Sequence, residues 1–177
     1  MRFLDTGKIR KATLEDASDI SVLLGHLGYP NDAVSVHRRL EAILSRDDYF
    51  VAVAESKRDL AGLVSACWGL YLEHDGRWGR ITALVVAEGC RRRGTGMRLV
   101  DTAESWLLSQ QVRACIVNSR RDRKAAHRFY ERCGYRVTGW RFVKPLQTAA
   151  KTGRPPQSVK TDSSESRIVC APASTRH

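Results

Sequence analysis

The hydrophobic pattern of residues 8–146 switches between a helical period and the patterns typical of strands. Apolar side chains recur every three or four positions in four segments, which predicts helices over residues 13–26, 32–46, 96–111 and 123–133. Short apolar or β-branched runs predict strands over residues 8–12, 49–55, 60–72, 81–86, 114–118 and 135–144. The order β-α-α-β-β-β-α-β-α-β predicts an α/β (α+β) fold, with a mixed, mostly antiparallel sheet flanked by helices.

Capping and turn residues support several of these boundaries. Thr13 and Asp32 are residue types that cap helix N-termini, and each precedes a helical pattern. Gly134 follows the last helical pattern, where a left-handed residue commonly ends a helix. Gly62 and Gly69 interrupt the third predicted strand, so we expect bulges there.

The composition changes after Leu146. Residues 147–177 are rich in Ser, Thr, Lys and Pro and contain no aromatic side chain. Such a segment buries too little apolar surface to offset the entropy lost on ordering. We therefore expect one folded domain over residues 1–146 and a disordered tail over residues 147–177.

Composition narrows the classes of function. No apolar run has the length of a membrane span, and the N-terminus lacks a hydrophobic signal segment, so we expect a cytoplasmic protein. Five cysteines are scattered without a C-x-x-C pair, which argues against a zinc site and a disulfide framework. The formal charge of +11 indicates an acidic partner (nucleic acid, a membrane surface or a polyphosphate cofactor) or a surface that serves solubility alone.

The stretch from Ile81 to Leu99 predicts an anion-binding site. An apolar strand leads into a basic glycine loop, and a helix follows. The first N–H groups of a helix have no partner within it, and glycines let an anion approach the backbone. The loop lacks the Lys of a P-loop and the third glycine of a dinucleotide fingerprint. It does match R-x-x-G-x-G, with Arg91, Gly94 and Gly96.

A second motif follows about thirty residues later: AAHRFYERCGY, residues 125–135. The strand, R-x-x-G-x-G, an amphipathic helix, a strand ending at Asn118 and this motif together resemble the GNAT superfamily of acyl-CoA-dependent N-acyltransferases. The resemblance covers most of residues 8–146 and is strongest over residues 81–135. It implies an N-acetyltransferase that takes acetyl-CoA as cosubstrate, needs no metal and transfers the acetyl group directly to an amine in a ternary complex.

The resemblance also implies which residues hold acetyl-CoA. The backbone of residues 84–86 would bind the pantetheine amides, and residues 91–96 would bind the pyrophosphate. Asn118, with Ser119 as a substitute, resembles the polar residue that contacts the pantetheine arm, and Arg123 is the candidate for the ribose phosphate. The implied cofactor-binding residues are Leu84, Val85, Val86, Arg91, Arg92, Arg93, Gly94, Thr95, Gly96, Asn118, Ser119 and Arg123.

Tyr130 is the candidate catalytic residue. In the family, the Tyr at this place lies beside the thioester sulfur and protonates the departing thiolate. A positioned acid can contribute roughly 10²- to 10⁴-fold to the rate. The alternative is that Tyr130, next to Phe129, is a core aromatic. Many relatives place a Glu near the position that is Thr82 here, so the general base stays unassigned.

The acceptor amine is not specified by the sequence. The residues of the second motif resemble those of family members that act on small amines, which favours a small molecule over a protein lysine or N-terminus. The basic charge of the chain argues against a polycationic aminoglycoside. We expect the Gly28-Tyr29-Pro30 turn and the hairpin at residues 73–75 to line the acceptor pocket. Two other classes stay open: a basic nucleic-acid-binding protein, for which no recognition motif is present, and an acyl-CoA sensor without turnover. We expect no membrane or nucleic-acid partner, and a homodimer is left open.

Overall fold

A computed structural model describes residues 7–57 and 59–146, so the predicted tail at 147–177 lies outside the described residues. The chain divides into two units, Met1–Arg141 and Phe142–His177. Within the described part, no helix has the length and apolar character needed to cross a bilayer. The strands are β1 (Ile9–Lys11), β2 (Tyr49–Glu55), β3 (Leu60–Leu70), β4 (Arg77–Val86) and β5 (Cys115–Val117). The helices are α1 (Ala17–His26), α2 (Ala33–Leu44), α3 (Thr95–Ser109) and α4 (Lys124–Arg132).

The five strands form one sheet in the order β1-β2-β3-β4-β5. Neighbours from β1 to β4 are antiparallel, and β5 runs parallel to β4. A parallel neighbour requires a crossover, and α3 supplies it between β4 and β5. The predicted mixed sheet flanked by helices is therefore confirmed.

Helices pack on both faces of the sheet, as the alternation along β2 illustrates. Val51 and Val53 belong to the buried cluster formed with α1 and α2, whereas Ala52 and Ala54 face the cluster formed with α3. A strand points successive side chains to opposite faces, so an entirely apolar run is buried on both sides. This explains why residues 49–54 of β2 are apolar without alternation and only the last residue, Glu55, is charged.

The N-terminal helix is fastened by a charge network. The carboxylate of Asp16, 7% exposed, accepts hydrogen bonds from the Arg10 guanidinium at 2.7 and 2.8 Å and from the Thr13 backbone N–H at 2.8 Å. Arg10 also donates to Glu55 Oε1 at 2.6 Å. The hydrogen bond from Arg10 is the largest cause that holds the pKa of Asp16 below its usual value. This network joins β1, β2 and the start of α1.

Two sequence predictions are wrong at the level of single elements. Residues 135–146, predicted to contain a last strand over 135–144, hold no helix or strand, and Val137 and Trp140 are 88% and 73% exposed. Apolar residues form a strand only where a neighbouring backbone supplies ladder hydrogen bonds, and the described sheet ends at β5. Gly69 marks no bulge. A Cβ there would overlap the Trp78 ring, so Gly69 serves packing.

Two bulges do occur in the sheet. Ala54 pairs with Gly62 and Glu55 pairs with Leu60, which leaves one unpaired residue beside Gly62 as predicted. On the other side of β3, Ser65 pairs with Ala83 and Ala66 pairs with Ile81, so Thr82 is the extra residue of β4. A bulge bends its strand and increases the local twist. The bulge at Thr82 therefore changes the direction of β4 in the middle of the strand.

Candidate functional site

The candidate site lies where β4 and β5 separate. The parallel pairing begins with Gly79 opposite Cys115 and ends with Ile81 opposite Val117. The bulge at Thr82 follows at once, and no later residue of β4 pairs with β5 in the described part of the chain. The backbone edge of residues 84–86 that points away from β3 is therefore left without a strand partner.

A cavity of about 310 Å³ occupies this separation. Helix α1 contributes His26 and Leu27 at its C-terminal end, and α4 contributes Phe129 and Tyr130. These helices lie on opposite faces of the sheet, so the cavity passes through the gap between the strands. Its remaining lining residues are Leu84, Val85, Val86, Arg91, Gly96, Asn118, Ser119, Arg123, Ala125 and Ala126.

The β4 wall of the cavity combines buried side chains with a free backbone edge. Leu84 and Val86 pack against the α3 core cluster, whereas Val85, 5% exposed, packs under α1. Each of the three pairs with a residue of β3 on the other edge. The Val86 carbonyl accepts a hydrogen bond from Arg91 Nε at 3.1 Å, so this arginine side chain folds back onto the strand. The backbone groups of this wall can therefore bind an extended amide chain.

The basic glycine loop presents a run of unpaired N–H groups. At the 3-10 turn Glu88–Cys90, Cys90 N–H donates to the Ala87 carbonyl and Arg91 N–H donates to the Glu88 carbonyl. Arg98 N–H donates to the Gly94 carbonyl. Among the described residues, the six backbone N–H groups from 92 to 97 have no acceptor. Arg92 and Gly94 have positive φ angles of 60° and 83°, which curves the loop at the start of α3. Concave runs of N–H at a helix N-terminus bind phosphate groups.

The two glycines of this loop are required for different reasons. Gly94 has a left-handed backbone and open space around its Cα, so its conformation favours glycine. Gly96 lies against the aromatic wall: a Cβ there would come within 3.3 Å of Phe129 Cε2 and 3.5 Å of Val86 Cγ2. Gly96 thus lets α3 and α4 approach each other as well as clearing the cavity.

The other predicted cofactor residues fall into two groups. Asn118 and Ser119 are exposed, directly follow β5 and line the cavity with Arg123. Arg92, Arg93, Gly94 and Thr95 are not among the lining residues, and Thr95 is 7% exposed. The loop therefore forms the rim at the N-terminus of α3, while the strand ends form the wall.

Tyr130 is half-buried in the cavity wall. Its ring makes edge-on contacts with Phe129 at 5.3 Å and Tyr135 at 5.7 Å between ring centroids. Burial raises the pKa of Tyr130 above the usual value, and the nearby positive charge of Arg123 opposes this shift only in part. The phenol therefore keeps its proton at neutral pH and can donate it inside the cavity.

Sequence reasoning missed the contribution of α1. His26 is exposed, and the structure places it in the lining of the cavity that also contains Tyr130. No local signal could have found it, because His26 is distant in sequence from both motifs. The hairpin at residues 73–75, expected near the acceptor, is absent from the lining. The hydroxyl of Thr82 donates to the Ser65 carbonyl at 3.1 Å and is 3.0 Å from Ser65 Oγ.

A second, larger cavity of about 630 Å³ lies elsewhere, between the C-terminal half of α3, β5 and residues 133–138. It contains none of the predicted site residues. Tyr135 borders it and donates to Glu104 Oε1 at 2.6 Å, which fixes the segment after α4 against α3. The larger cavity therefore lacks the basic glycine loop and the polar residues Asn118 and Ser119 that border the smaller one.

Comparison with known proteins agrees with this geometry. The model of the acetyltransferase (GNAT) family matches residues 19–135. An uncharacterized N-acetyltransferase, YhdJ of Bacillus subtilis, is 26% identical over 133 residues, which are 75% of this chain and 93% of the relative. The aminoalkylphosphonate N-acetyltransferase of Salmonella typhimurium is 27% identical over 140 residues, 78% of this chain and 91% of the relative.

A solved structure is similar over nearly its whole length. The crystal structure of glucosamine-6-phosphate N-acetyltransferase from Arabidopsis thaliana superposes with a TM-score of 0.67 at 26% sequence identity. The match covers 79% of this chain and 98% of that chain. The described domain therefore spans the complete fold of that structure.

Proposed function

We propose that this chain, which belongs to the GNAT family of acetyltransferases, transfers the acetyl group of acetyl-CoA to a small primary amine. The observation that carries the proposal is the cavity between the diverging strands. It joins the free edge of β4 and the N-terminus of α3 to a protonated phenol. These are the parts that an acyl-CoA thioester and its leaving thiolate need.

The residues present fit acetyl-CoA. The six unpaired N–H groups of residues 92–97 suit the pyrophosphate, because their partial positive charges add to that of the helix dipole at the N-terminus of α3. The strand edge at residues 84–86 and the exposed amide of Asn118 suit the amides of the pantetheine arm. Arg123, at the mouth of the cavity, supplies positive charge for the ribose phosphate. Acetyl-CoA is the cosubstrate, and no step of the transfer needs a metal.

The transfer is a direct attack within a ternary complex. The amine nitrogen forms a bond to the acetyl carbon, a tetrahedral oxyanion develops, and the carbon–sulfur bond breaks. The departing thiolate takes the proton of Tyr130 Oη, and solvent restores that proton after the product leaves. Because the pKa of Tyr130 is raised by burial, the phenol is fully protonated when the thiolate forms.

The amine must lose a proton before or during its attack. We assign the acceptance of this proton to His26, whose imidazole is exposed on the α1 side of the cavity. An imidazole can take up a proton near neutral pH, whereas the hydroxyl of Thr82 is not a base and is bonded to Ser65. Acid and base then lie on opposite sides of the sheet, with the thioester between them.

A small acceptor fits the size of the site. A cavity of about 310 Å³ admits the reactive end of the cosubstrate and a few non-hydrogen atoms more. Two relatives whose names state a substrate act on small amines, an aminoalkylphosphonate and glucosamine 6-phosphate. A lysine on a folded protein would need a wide groove to reach the same depth.

A thiol-release assay tests the proposal. Acetyl-CoA is incubated with the protein and with small amines, amino sugars, aminoglycosides or lysine peptides, and free coenzyme A is measured. We expect release that depends on a small primary amine, with a product heavier by one acetyl group. Release with peptides alone would assign the enzyme to protein substrates. Tight coenzyme A binding without release in any arm would indicate a sensor.

A further inference from the structure

The face of the sheet under α1 and α2 is only partly covered. Leu63 of β3 and Val85 of β4 belong to the core cluster beneath these helices. The next pair on the same face, Ser65 and Ala83, and the bulge residue Thr82 beside it belong to neither core cluster. Ser65 and Ala83 are half-buried, and Thr82 is exposed. A polar surface therefore begins beside the point where the strands separate, on the side from which the acceptor approaches His26.

Arg80 lies on this surface. Its strand neighbours Gly79 and Ile81 face α3, because a Cβ on Gly79 would meet Leu107 and because Ile81 is in the α3 cluster. Alternation along the strand then directs Arg80 to the opposite face, where its side chain is exposed. The guanidinium carbon is 5.4 Å from the centroid of the Trp78 ring, within the range of a cation–π contact.

A second arginine–tryptophan pair, on the α3 face, shows how Arg80 differs. Arg77 lies 4.0 Å from the Trp68 ring centroid, and its Nη1 donates to the Gln110 carbonyl at 2.9 Å, so its guanidinium is used within the fold. Arg80 has no hydrogen bond or ion pair to another described residue. Its donors therefore face solvent beside the site.

The separation between Arg80 and the reaction point suits a short ligand. Arg80 precedes Thr82 by two positions, which is roughly 7 Å along the strand. An amine held at the strand divergence can therefore place a second group, a few bonds away, against the guanidinium. That group must be anionic, because a guanidinium binds oxyanions through paired hydrogen bonds and repels cations.

We infer that Arg80 binds an oxyanion of the acceptor, and that the acceptor is a primary amine carrying a phosphate or phosphonate a few bonds from its nitrogen. A tetrahedral oxyanion has three oxygens to satisfy, more than one guanidinium fork can serve. Ser65, whose Oγ lies 3.0 Å from the Thr82 hydroxyl, supplies a further donor on the same surface. The formal charge of +11 adds a field that attracts such a dianion. The inference rests on the proposed N-acetyltransferase function and names its substrate class.

The test compares matched acceptors with acetyl-CoA: 2-aminoethylphosphonate, propylamine, β-alanine and an aminoglycoside. We expect kcat/KM for 2-aminoethylphosphonate to exceed that for propylamine by roughly 10- to 100-fold, the range of a hydrogen bond to a charged group. Arg80→Gln should remove this preference through KM and leave propylamine within about threefold, and Arg80→Lys should retain part of it. Arg39→Gln, the same charge change on the exposed side of α2, should have no effect.

The possible failures are distinguishable. Equal rates for 2-aminoethylphosphonate and propylamine, or an unchanged ratio in Arg80→Gln, overturn the inference and leave the proposed function intact. Preference for β-alanine overturns the phosphate or phosphonate class, and preference for the aminoglycoside overturns an anionic acceptor. If no amine releases coenzyme A, the proposed function fails. Calorimetry with 2-aminoethylphosphonate then tests the inference without turnover. The inference requires weaker binding to Arg80→Gln than to Arg39→Gln, and equal affinities overturn it.

Discussion

The two edges of β4 differ sharply, although they belong to one strand. The edge toward β3, here called the closed edge, pairs from Gly62–Val86 to Leu70–Arg77 with one bulge. The edge toward β5, the open edge, pairs only at residues 79, 80 and 81. Backbone hydrogen bonds are satisfied within the fold at the closed edge. At the open edge most of them have no strand partner, so the same strand serves stability on one side and, under the proposed function, binding on the other.

Charged groups follow the same division. At the far side of the sheet from the open edge, Arg10 is held by two carboxylates that it shares with β2 and the start of α1. At the open edge, Arg91 and Arg123 line the cavity and have no carboxylate partner among the described residues. The comparison teaches that Arg10, which is paired, joins elements of the fold, whereas Arg91 and Arg123, which have no carboxylate partner, line the cavity.

The largest effect is expected at Tyr130. Tyr130→Phe removes the proton donor and keeps the ring contacts, so kcat should fall by roughly 10²- to 10⁴-fold with little change in KM for acetyl-CoA. Since burial raises the pKa of Tyr130, deprotonation of its phenol should not lower the wild-type kcat until the pH exceeds about 10. Steady-state kinetics from pH 6 to 11 check both statements.

Tyr135→Phe is the matched control for Tyr130→Phe. It removes a phenol hydroxyl that donates to Glu104 outside the cavity lined by Tyr130, so it should lower the thermal midpoint and leave kcat near the wild-type value. Unchanged turnover in Tyr130→Phe, or an equal loss in both variants, would remove Tyr130 as the acid.

The next largest effect concerns the loop at the rim of the open edge. Gly94→Val places a β-branched residue at a φ of 83°, which should change the conformation of the turn. The unpaired N–H groups of the loop would then no longer point to a common site. We expect coenzyme A affinity to fall by about 100-fold or more, seen as loss of thermal stabilisation by the ligand. Gly89→Ala, in open space and without a positive φ, should retain the wild-type response. Persistent stabilisation of Gly94→Val would contradict the assignment of the pyrophosphate to this loop.

The charge network far from the open edge should affect stability alone. Asp16→Asn weakens three hydrogen bonds to a buried carboxylate and should cost about 2 kcal/mol of unfolding free energy, measured by urea denaturation. Turnover per folded molecule should not change. Asp122→Asn breaks an exposed pair with Arg120 and should leave stability at the wild-type value.

The pH dependence of stability provides a second reading of Asp16. Its pKa is lower in the folded protein than in the unfolded chain, so its contribution is complete above about pH 4 and is lost as the pH falls below that value. The difference in unfolding free energy between wild type and Asp16→Asn should therefore become smaller as the pH falls below about 4. A constant difference from pH 7 to pH 3 would show that the carboxylate charge contributes nothing.

The smallest effect is expected at His26. His26→Gln should lower kcat/KM about tenfold at pH 7 and approach wild type near pH 9, where more of the amine is already unprotonated. His37→Gln, exposed on α2 and outside the cavity lining, is the control. A pH-independent loss in His26→Gln would indicate packing at the cavity mouth in place of proton transfer.

Local chemistry explains why much of this molecule was predictable. The strand over residues 49–55 and the cap at Asp32 follow from residue types in their immediate neighbourhood. So does Gly134, whose φ is 87° at the end of α4. The strand–loop–helix over residues 81–99 was predictable for the same reason, because an apolar run, a glycine loop and a helical period are local patterns.

Long-range pairing explains which features could not be predicted from the sequence. The apolar pattern of residues 135–144 is that of a strand, and nothing in it reveals that these residues pair with no strand in the described part of the chain. Nothing in β4 alone shows that Thr82 is a bulge, since a bulge exists only in register with β3. The role of His26 and the direction of Arg80 likewise depend on which elements lie across the sheet.

The sequence by itself determined the order of most elements, the family and which residues are candidates for the site, because each is encoded by local spacing. The tertiary structure decided where β4 leaves β5, and with it the cavity, its two-sided access and the neighbours of Tyr130. The physical reason is that pairing and burial depend on contacts between distant segments. These contacts form only when the chain folds, so the local sequence pattern does not reveal them.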